Sequence, residues 1–155
     1  RRQLFELDGY VSAREVYLAR KQDQMQALTR LARSTQDPLR RYELEMNIAQ
    51  EFFAFSFDST QVYLKHCQKL AAGPLRNRDL YNQATISLGH LYAKAGNYME
   101  ASQILYGQID TAELTASQMA EYQWILYDFS KDLAGNSGVA EQLSIPPEAS
   151  FRPRL

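Results

Sequence analysis

The sequence contains few of the residues that build catalytic or metal-binding sites. It has one cysteine, Cys67, so no disulfide can form within the chain. Its two histidines, His66 and His90, lie on different predicted helices. The spacings His-x-x-x-His and Cys-x-x-Cys are missing, and so is a glycine-rich phosphate loop. Because catalysis requires convergent groups of these kinds, we predict that the protein is not an enzyme and has no cofactor and no metal site.

An excess of basic charge is also missing. The 17 Lys and Arg residues are balanced by 18 Asp and Glu residues, and the formal net charge is -1. Because nucleic-acid binding usually requires a basic surface, we expect none in this chain. No run approaches the roughly 18 apolar residues of a membrane span, so a membrane would be reached only through other parts of a parent protein. The start at Arg1-Arg2, without Met, favours a fragment of a longer protein.

Glycine and proline are scarce and stand at breaks between long amphipathic segments, which is typical of helices joined by short turns. A capping box formed by Ser12 and Glu15 predicts the start of the first helix, and Pro38 predicts that it has ended. A second capping box, in residues 115–118, predicts the start of a helix that runs to about residue 133. Four helices are expected between these two. They cover about residues 39–55, the segment that follows a cap at residues 57–59 and ends at residue 72, residues 76–95 and residues 98–107.

No segment alternates apolar and polar residues over several positions, so no strand is predicted. Residues 110–114 are interpreted as a linker, and residues 139–143 could begin a seventh helix. We therefore predict an all-α fold of six to seven helices. It forms a single domain over residues 1–145, followed by an extended tail over residues 146–155.

The segment from residue 88 to residue 101 resembles the tetratricopeptide repeat (TPR). The family pattern combines a Leu-Gly pair, a Tyr, a turn glycine followed by a second Tyr, and a small residue. The residues that carry it here are Leu88, Gly89, Tyr92, Gly96, Tyr98 and Ala101. Gly89 and Ala101 are small, so that two helices can approach closely, and Gly96 suits a turn. The resemblance implies antiparallel helix hairpins stacked as a right-handed α-solenoid.

In TPR-like hairpins, the first helix of each hairpin faces a concave groove. By this resemblance, the residues that line the groove are Gln83, Ile86, His90, Lys94, Tyr122, Ile125 and Phe129. Two interpretations stay open. The residues either serve packing and solvation alone, or they form a polar and aromatic groove for a peptide or a sugar.

Other conspicuous residues are interpreted as structural. Cys67 lies on an apolar stripe and is expected in the core, which leaves its neighbour His66 in solvent. The aromatic run over residues 52–57 and Trp124 are also expected in the core. Two arginine clusters are interpreted as solvated helix starts, Arg40-Arg41 and Arg76/Arg78.

A narrower resemblance extends over most of the chain. It rests on three segments, Leu7-Asp8-x-x-Val11 through Lys21, Asp37-Pro38-x-x-Arg41-Tyr42 and Phe55-x-Phe57-Asp58-Ser59. These resemble the N-terminal region of SusR-like (starch-utilisation type) regulators of Bacteroidetes. In that family a secreted helical repeat region precedes one membrane span, a coiled coil and a cytoplasmic helix-turn-helix domain. The resemblance implies the periplasmic sensor region of a membrane-bound transcriptional regulator.

Two functions are consistent with these observations. The first is a sensor domain that recognises a glycan or a protein partner. The alternative is a TPR-type scaffold that binds peptides, and such domains can also form homodimers. Further repeats without a DNA-binding domain in the parent protein would favour the scaffold.

Overall fold

The computed structural model describes the backbone of residues 2–135 and the side chains of residues 12–135. This part of the chain contains α-helices, one 3₁₀ turn and no strand, which confirms the all-α prediction. The helices are α1 (Arg2–Ser34), α2 (Pro38–Phe52), α3 (Phe57–Ala72), α4 (Arg78–Lys94), α5 (Tyr98–Gly107) and α6 (Ala116–Gly135), with the 3₁₀ turn (Thr111–Glu113) between α5 and α6. The possible seventh helix and the predicted tail lie outside the described residues.

Side-chain caps define where most of these helices begin. Asp37 accepts a hydrogen bond from the Arg40 amide at 3.2 Å, and Pro38 takes the first position of α2, where no amide hydrogen is needed. The capping box predicted before α6 is confirmed. The Gln118 amide donates to Thr115 Oγ1, and the Thr115 amide donates to Gln118 Oε1, both at 3.2 Å.

The capping box predicted at Ser12 and Glu15 is wrong, because α1 already runs from Arg2. A capping box supplies acceptors to amides that have no carbonyl four residues earlier. In a continuous helix the amides near Ser12 have such carbonyls, so the motif is not used as a start. Helix α1 extends beyond the predicted start, towards the N-terminus, through residues that favour the helix, among them Leu4, Glu6 and Leu7.

Two other helix ends differ from the predicted ones. Helix α2 ends at Phe52, and residues 53–55 form a turn in which the amides of Phe55 and Ser56 both donate to the Phe52 carbonyl at 2.9 Å. Ser56 then caps α3 through the Ser59 amide at 3.2 Å. Helix α4 begins at Arg78 because Arg76 has a left-handed backbone with a φ of 44°, which is incompatible with a right-handed helix.

Consecutive helices pack against one another, α1 on α2, α2 on α3, α3 on α4 and α4 on α5, while α6 packs on α4. The chain is therefore a TPR-like α-solenoid of the hairpins α2–α3 and α4–α5, flanked by α1 and α6. A Cβ atom at Gly89 would lie 2.5 Å from Leu105 Cδ2, so α4 and α5 approach too closely for a side chain there. Gly96 turns the chain between these helices with a φ of 80°.

The core follows the stack of helices. One cluster joins α2, α3 and α4 and contains Cys67, as predicted. A second joins α4, α5 and α6, and a third joins α1 to α2 through Met25, Ala32, Leu44 and Ile48. Among the described helices, none combines the length and the apolar character that a membrane span needs.

Some aromatic residues predicted in the core lie at the surface. The Trp124 side chain is 57% exposed, and Phe55 is 55% exposed. Phe52, Phe53 and Phe57 are partly buried and pack against the core clusters. The aromatic run spans the turn between α2 and α3, where successive side chains point in different directions and cannot all reach one core.

Candidate functional site

One face of the stack carries side chains from α2, α4 and α6, and we call it the α2–α4–α6 groove. It contains a cavity of about 240 Å³, between these helices and the start of α3. The polar and aromatic residues around this cavity are Gln50 and Phe53 of α2 and its following turn, Thr60 of α3, Ser87 and His90 of α4, and Glu121 of α6. The described part of the chain contains no group of residues that could hold a metal ion.

His90 lies at the centre of the groove between two aromatic side chains. Its ring centroid is 4.9 Å from that of Phe53 and 6.0 Å from that of Trp124, whose plane is perpendicular to it. The His90 Nε2 atom is buried and has no hydrogen-bond partner among the described residues. Burial lowers the pKa of His90, and the nearby Lys94 ammonium lowers it further, while Asp128 and Glu121 act in the opposite direction. The ring is therefore mostly neutral at neutral pH.

Polar side chains of α4 are tied to carboxylates of α6. Lys94 forms an ion pair with Asp128 and lies 3.8 Å from Asp132. The hydrogen bond to Asp128 is the main cause that raises the pKa of Lys94. About three turns earlier on α4, Gln83 Nε2 donates to Glu121 Oε2 at 3.0 Å. These contacts hold α6 beside α4 and bring several carboxylates to the groove.

The structure corrects part of the predicted groove. Gln83, His90 and Lys94 lie on its surface, but Ile86, Tyr122, Ile125 and Phe129 are buried in the core between α4, α5 and α6. Tyr122 also donates a hydrogen bond to the Leu105 carbonyl at 2.6 Å, and burial raises its pKa to about 12. Side chains without accessible surface cannot contact a ligand, so these four residues do not line the groove.

The residues that reach the groove in their place stand one position away in sequence. They are Ser87 on α4, and Glu121, Trp124 and Asp128 on α6. The sequence analysis did not identify them, because it assigned the groove positions from the TPR pattern and not from the periodicity of the apolar residues in each helix. The buried positions 118, 122, 125, 126, 129 and 133 follow the spacing of a core stripe, which predicts that their polar or aromatic neighbours face outward.

A second unusual site lies under α1, where Glu45 is a buried acidic residue with a side chain 3% exposed. Its Oε1 atom is 2.9 Å from His66 Nδ1 and 3.5 Å from Arg41 Nε, the latter without hydrogen-bond geometry. His66 is exposed, as expected, with 47% of its side chain accessible, whereas Arg41 is 34% exposed and is not simply a solvated helix start. A buried carboxylate needs such partners, so this cluster has a structural role.

A second cavity, of about 680 Å³, is a trough between α1 and the end of α2. Its walls include Leu18, Met25 and Phe55, and its Lys21 forms an ion pair with Glu51. It lies at the end of the stack, where α1 packs mainly on α2. The trough therefore combines apolar walls with the Lys21–Glu51 ion pair and the basic side chains of Arg30 and Arg33, whereas the α2–α4–α6 groove combines aromatic rings with carboxylates.

Comparison with known families gives one match. The model of the SusR N-terminal TPR domain matches residues 11–143, which include α2 to α6 completely and most of α1. None of the curated proteins and none of the solved structures compared with the chain matches it significantly.

Proposed function

Since this chain belongs to the SusR N-terminal TPR domain family, we propose that it is the ligand-sensing domain of a transcriptional regulator and recognises a glycan or a protein partner. A TPR-type domain has a protein-interaction or sensor role, and such families are generally non-catalytic. The name of the family supports the proposal that the parent protein is a membrane-bound regulator and that this domain is periplasmic.

The observation that carries the proposal is the α2–α4–α6 groove. It brings an exposed indole, that of Trp124, next to the His90 ring, and it offers hydrogen-bonding groups from three helices around one cavity. Ligand sites combine apolar surface with a few convergent polar groups in this way. The three helices belong to consecutive units of the stack, so a ligand held between them would also change how these units pack.

The complete sequence of the gene that encodes this chain tests whether the parent protein is such a regulator. The proposal expects one apolar segment of about 20 residues and then a helix-turn-helix region downstream of the chain. A gene that continues with further TPR hairpins and has no DNA-binding region would contradict the regulator. It would favour the alternative, a scaffold that binds peptides in the same groove.

The groove is tested in the full-length regulator by substituting His90→Ala together with Trp124→Ala and measuring transcription of the regulated genes during induction. We expect the response to be lost while the amount of regulator in the cell stays the same. Tyr127→Ala is the matched control, because this aromatic residue of α6 is also exposed but does not contact His90. An induced response that persists in the double variant would contradict a role of the groove in sensing.

A further inference from the structure

Trp124 is among the most exposed large apolar side chains of the described residues. Its indole lies perpendicular to the His90 ring, with the ring centroids 6.0 Å apart, yet 57% of the residue is accessible. Exposed tryptophans are enriched at binding surfaces, because a partner that covers the indole buries a large area at a small cost in conformational entropy. Trp124 therefore indicates a contact point within the α2–α4–α6 groove.

Carboxylates surround this indole. Glu121, Trp124 and Asp128 lie at spacings of three and four residues, so they share one side of α6. Glu121 accepts a hydrogen bond from the neutral Gln83, which leaves its charge uncompensated. Lys94 is shared between Asp128 and a second carboxylate, Asp132.

Two ammonium groups cancel only part of this charge. Lys94 pairs with Asp128, and Lys131 of α6 lies with its Nζ 4.4 Å from the centre of the Tyr127 ring and also interacts electrostatically with Asp128. The His90 ring is mostly neutral at neutral pH, since burial and Lys94 lower its pKa. Neither ammonium group forms an ion pair with Glu121, so a negative charge remains beside the exposed indole.

We propose that the α6 side of the groove binds a basic peptide segment of a partner protein, with an arginine or lysine side chain placed over Trp124 and between the carboxylates of Glu121 and Asp128. A cation is attracted by the face of an indole, and the attraction is strongest for tryptophan. The two carboxylates add charge-assisted hydrogen bonds. This inference rests on the proposed function, because it assigns a ligand chemistry to the same groove.

A peptide fits the rest of the groove as well. Beyond Trp124 the groove continues to Ser87 and Gln50, whose side chains can bond to the amides and carbonyls of a peptide backbone. A neutral glycan could use the indole and the hydrogen-bonding groups, but it would leave the excess negative charge unmatched. The charge thus favours the peptide, and the glycan is a distinct outcome of the test.

The test uses the emission of Trp124, the single tryptophan of the chain. The chain is titrated with a short arginine-containing peptide, with the same peptide carrying citrulline in place of each arginine, and with a mixture of neutral glucan and xylan oligosaccharides. We expect the arginine peptide to change the emission and to bind at least about fivefold more tightly than the citrulline peptide. Binding of the arginine peptide should also weaken as the salt concentration rises.

Two variants and one control locate the interaction. Glu121→Gln keeps the shape of the side chain, and Asp128→Asn removes the second charge. Each should weaken binding of the arginine peptide by about two- to fivefold, the range for a solvent-exposed ion pair. Asp23→Asn makes the same change of charge on the exposed surface of α1 and should leave binding unchanged.

Equal binding of the arginine and citrulline peptides would overturn the proposal, and so would an emission change caused by the oligosaccharides alone. Either result leaves the groove as a ligand site, so it does not contradict the proposed function. The proposal is also overturned if no added molecule changes the emission of Trp124. The gene organisation and the induction experiment would still decide the proposed function independently.

Discussion

Replacing Gly89 with alanine tests whether the close approach of α4 and α5 depends on the absence of a side chain. A Cβ atom at this position would lie 2.5 Å from Leu105 Cδ2, 2.9 Å from Leu105 Cγ and 3.2 Å from Ile104 Cγ2. Leu105 is completely buried, so its side chain has no free space to move into. The new methyl group must therefore displace Leu105 or separate the two helices.

The expected cost combines two opposing effects. Overpacking a well-packed core costs about 1–3 kcal/mol. Alanine favours the interior of a helix over glycine by about 1 kcal/mol, which offsets part of this cost. We expect Gly89→Ala to lower the free energy of unfolding by about 1 kcal/mol, which corresponds to roughly 2–4 °C in Tm for a chain of this size.

A double-mutant cycle with Leu105→Ala separates the two effects. Leu105→Ala by itself should cost about 2–5 kcal/mol through the cavity that it creates. In that background the main clash is gone, so Gly89→Ala should become stabilising by up to about 1 kcal/mol, through helix propensity. The assay is urea unfolding followed by circular dichroism, with comparison of midpoints at constant m value.

Gly107→Ala is the matched control, because a Cβ atom at Gly107, the last residue of α5, would meet nothing within 4 Å. It should be nearly neutral. The reasoning is refuted if Gly89→Ala is as harmless as Gly107→Ala. It is also refuted if Gly89→Ala has the same cost with Leu105 present and absent, since the cost would then not come from this contact.

Three further predictions concern other parts of the fold. His66→Ala should destabilise the protein by about 1–3 kcal/mol, because it removes the closest partner of the buried Glu45 carboxylate, and thermal unfolding measures this. Thr115→Ala should cost about 1 kcal/mol, through loss of the capping box of α6, and urea unfolding measures it. Burial raises the pKa of the Cys67 thiol from 9.0 to about 12, so a thiol reagent should leave native protein unmodified at about pH 8 and react in urea. The stabilisation linked to this shift is complete below the pKa of the unfolded thiol and is lost as the pH rises towards that of the folded one, so Tm should fall between about pH 9 and pH 12.

Each of these predictions has a control or an opposing outcome. Lys65→Ala changes the exposed neighbour of His66 and should have little effect, so an equal loss in both variants would contradict the role of His66. Ser117→Ala, in the first turn of α6, should likewise be nearly neutral. Rapid modification of Cys67 in the native protein would show that the core between α2 and α3 opens readily.

Local chemistry made most of the helices predictable. The capping box at Thr115 and Gln118, the turn at Gly96 and the start of α2 at Pro38 involve residues a few positions apart, so their patterns can be identified without knowledge of the fold. The same kind of pattern gave a wrong start for α1 at Ser12, because a capping motif inside a continuous helix has no unsatisfied backbone amides to bind. The family resemblance, carried by short segments spread over the chain, was confirmed by the match over residues 11–143.

The groove was predictable only in part. The register of the repeat placed Gln83, His90 and Lys94 on the groove side of α4, because the Leu88-Gly89 pair aligns that helix, and their role in ligand binding stays a prediction. On α6 the repeat pattern is weak, and the predicted groove positions were wrong by one residue. A shift of one residue turns a side chain by about 100° around a helix, so the residues predicted to face the groove face the core. The buried neighbours of α6, above all Leu105, come from a different hairpin and cannot be identified from the local sequence.

The amino-acid sequence by itself therefore determined the helices, most of the turns between them and the repeat hairpin, since each depends on contacts between residues close in the chain. The tertiary structure decided which face of α6 is buried, why Trp124 is exposed beside His90, and why the Glu45 carboxylate lies next to His66. These features depend on side chains that are distant in sequence. Their positions are set by how closely neighbouring helices can pack, which in α4 and α5 is controlled by the missing side chain of Gly89.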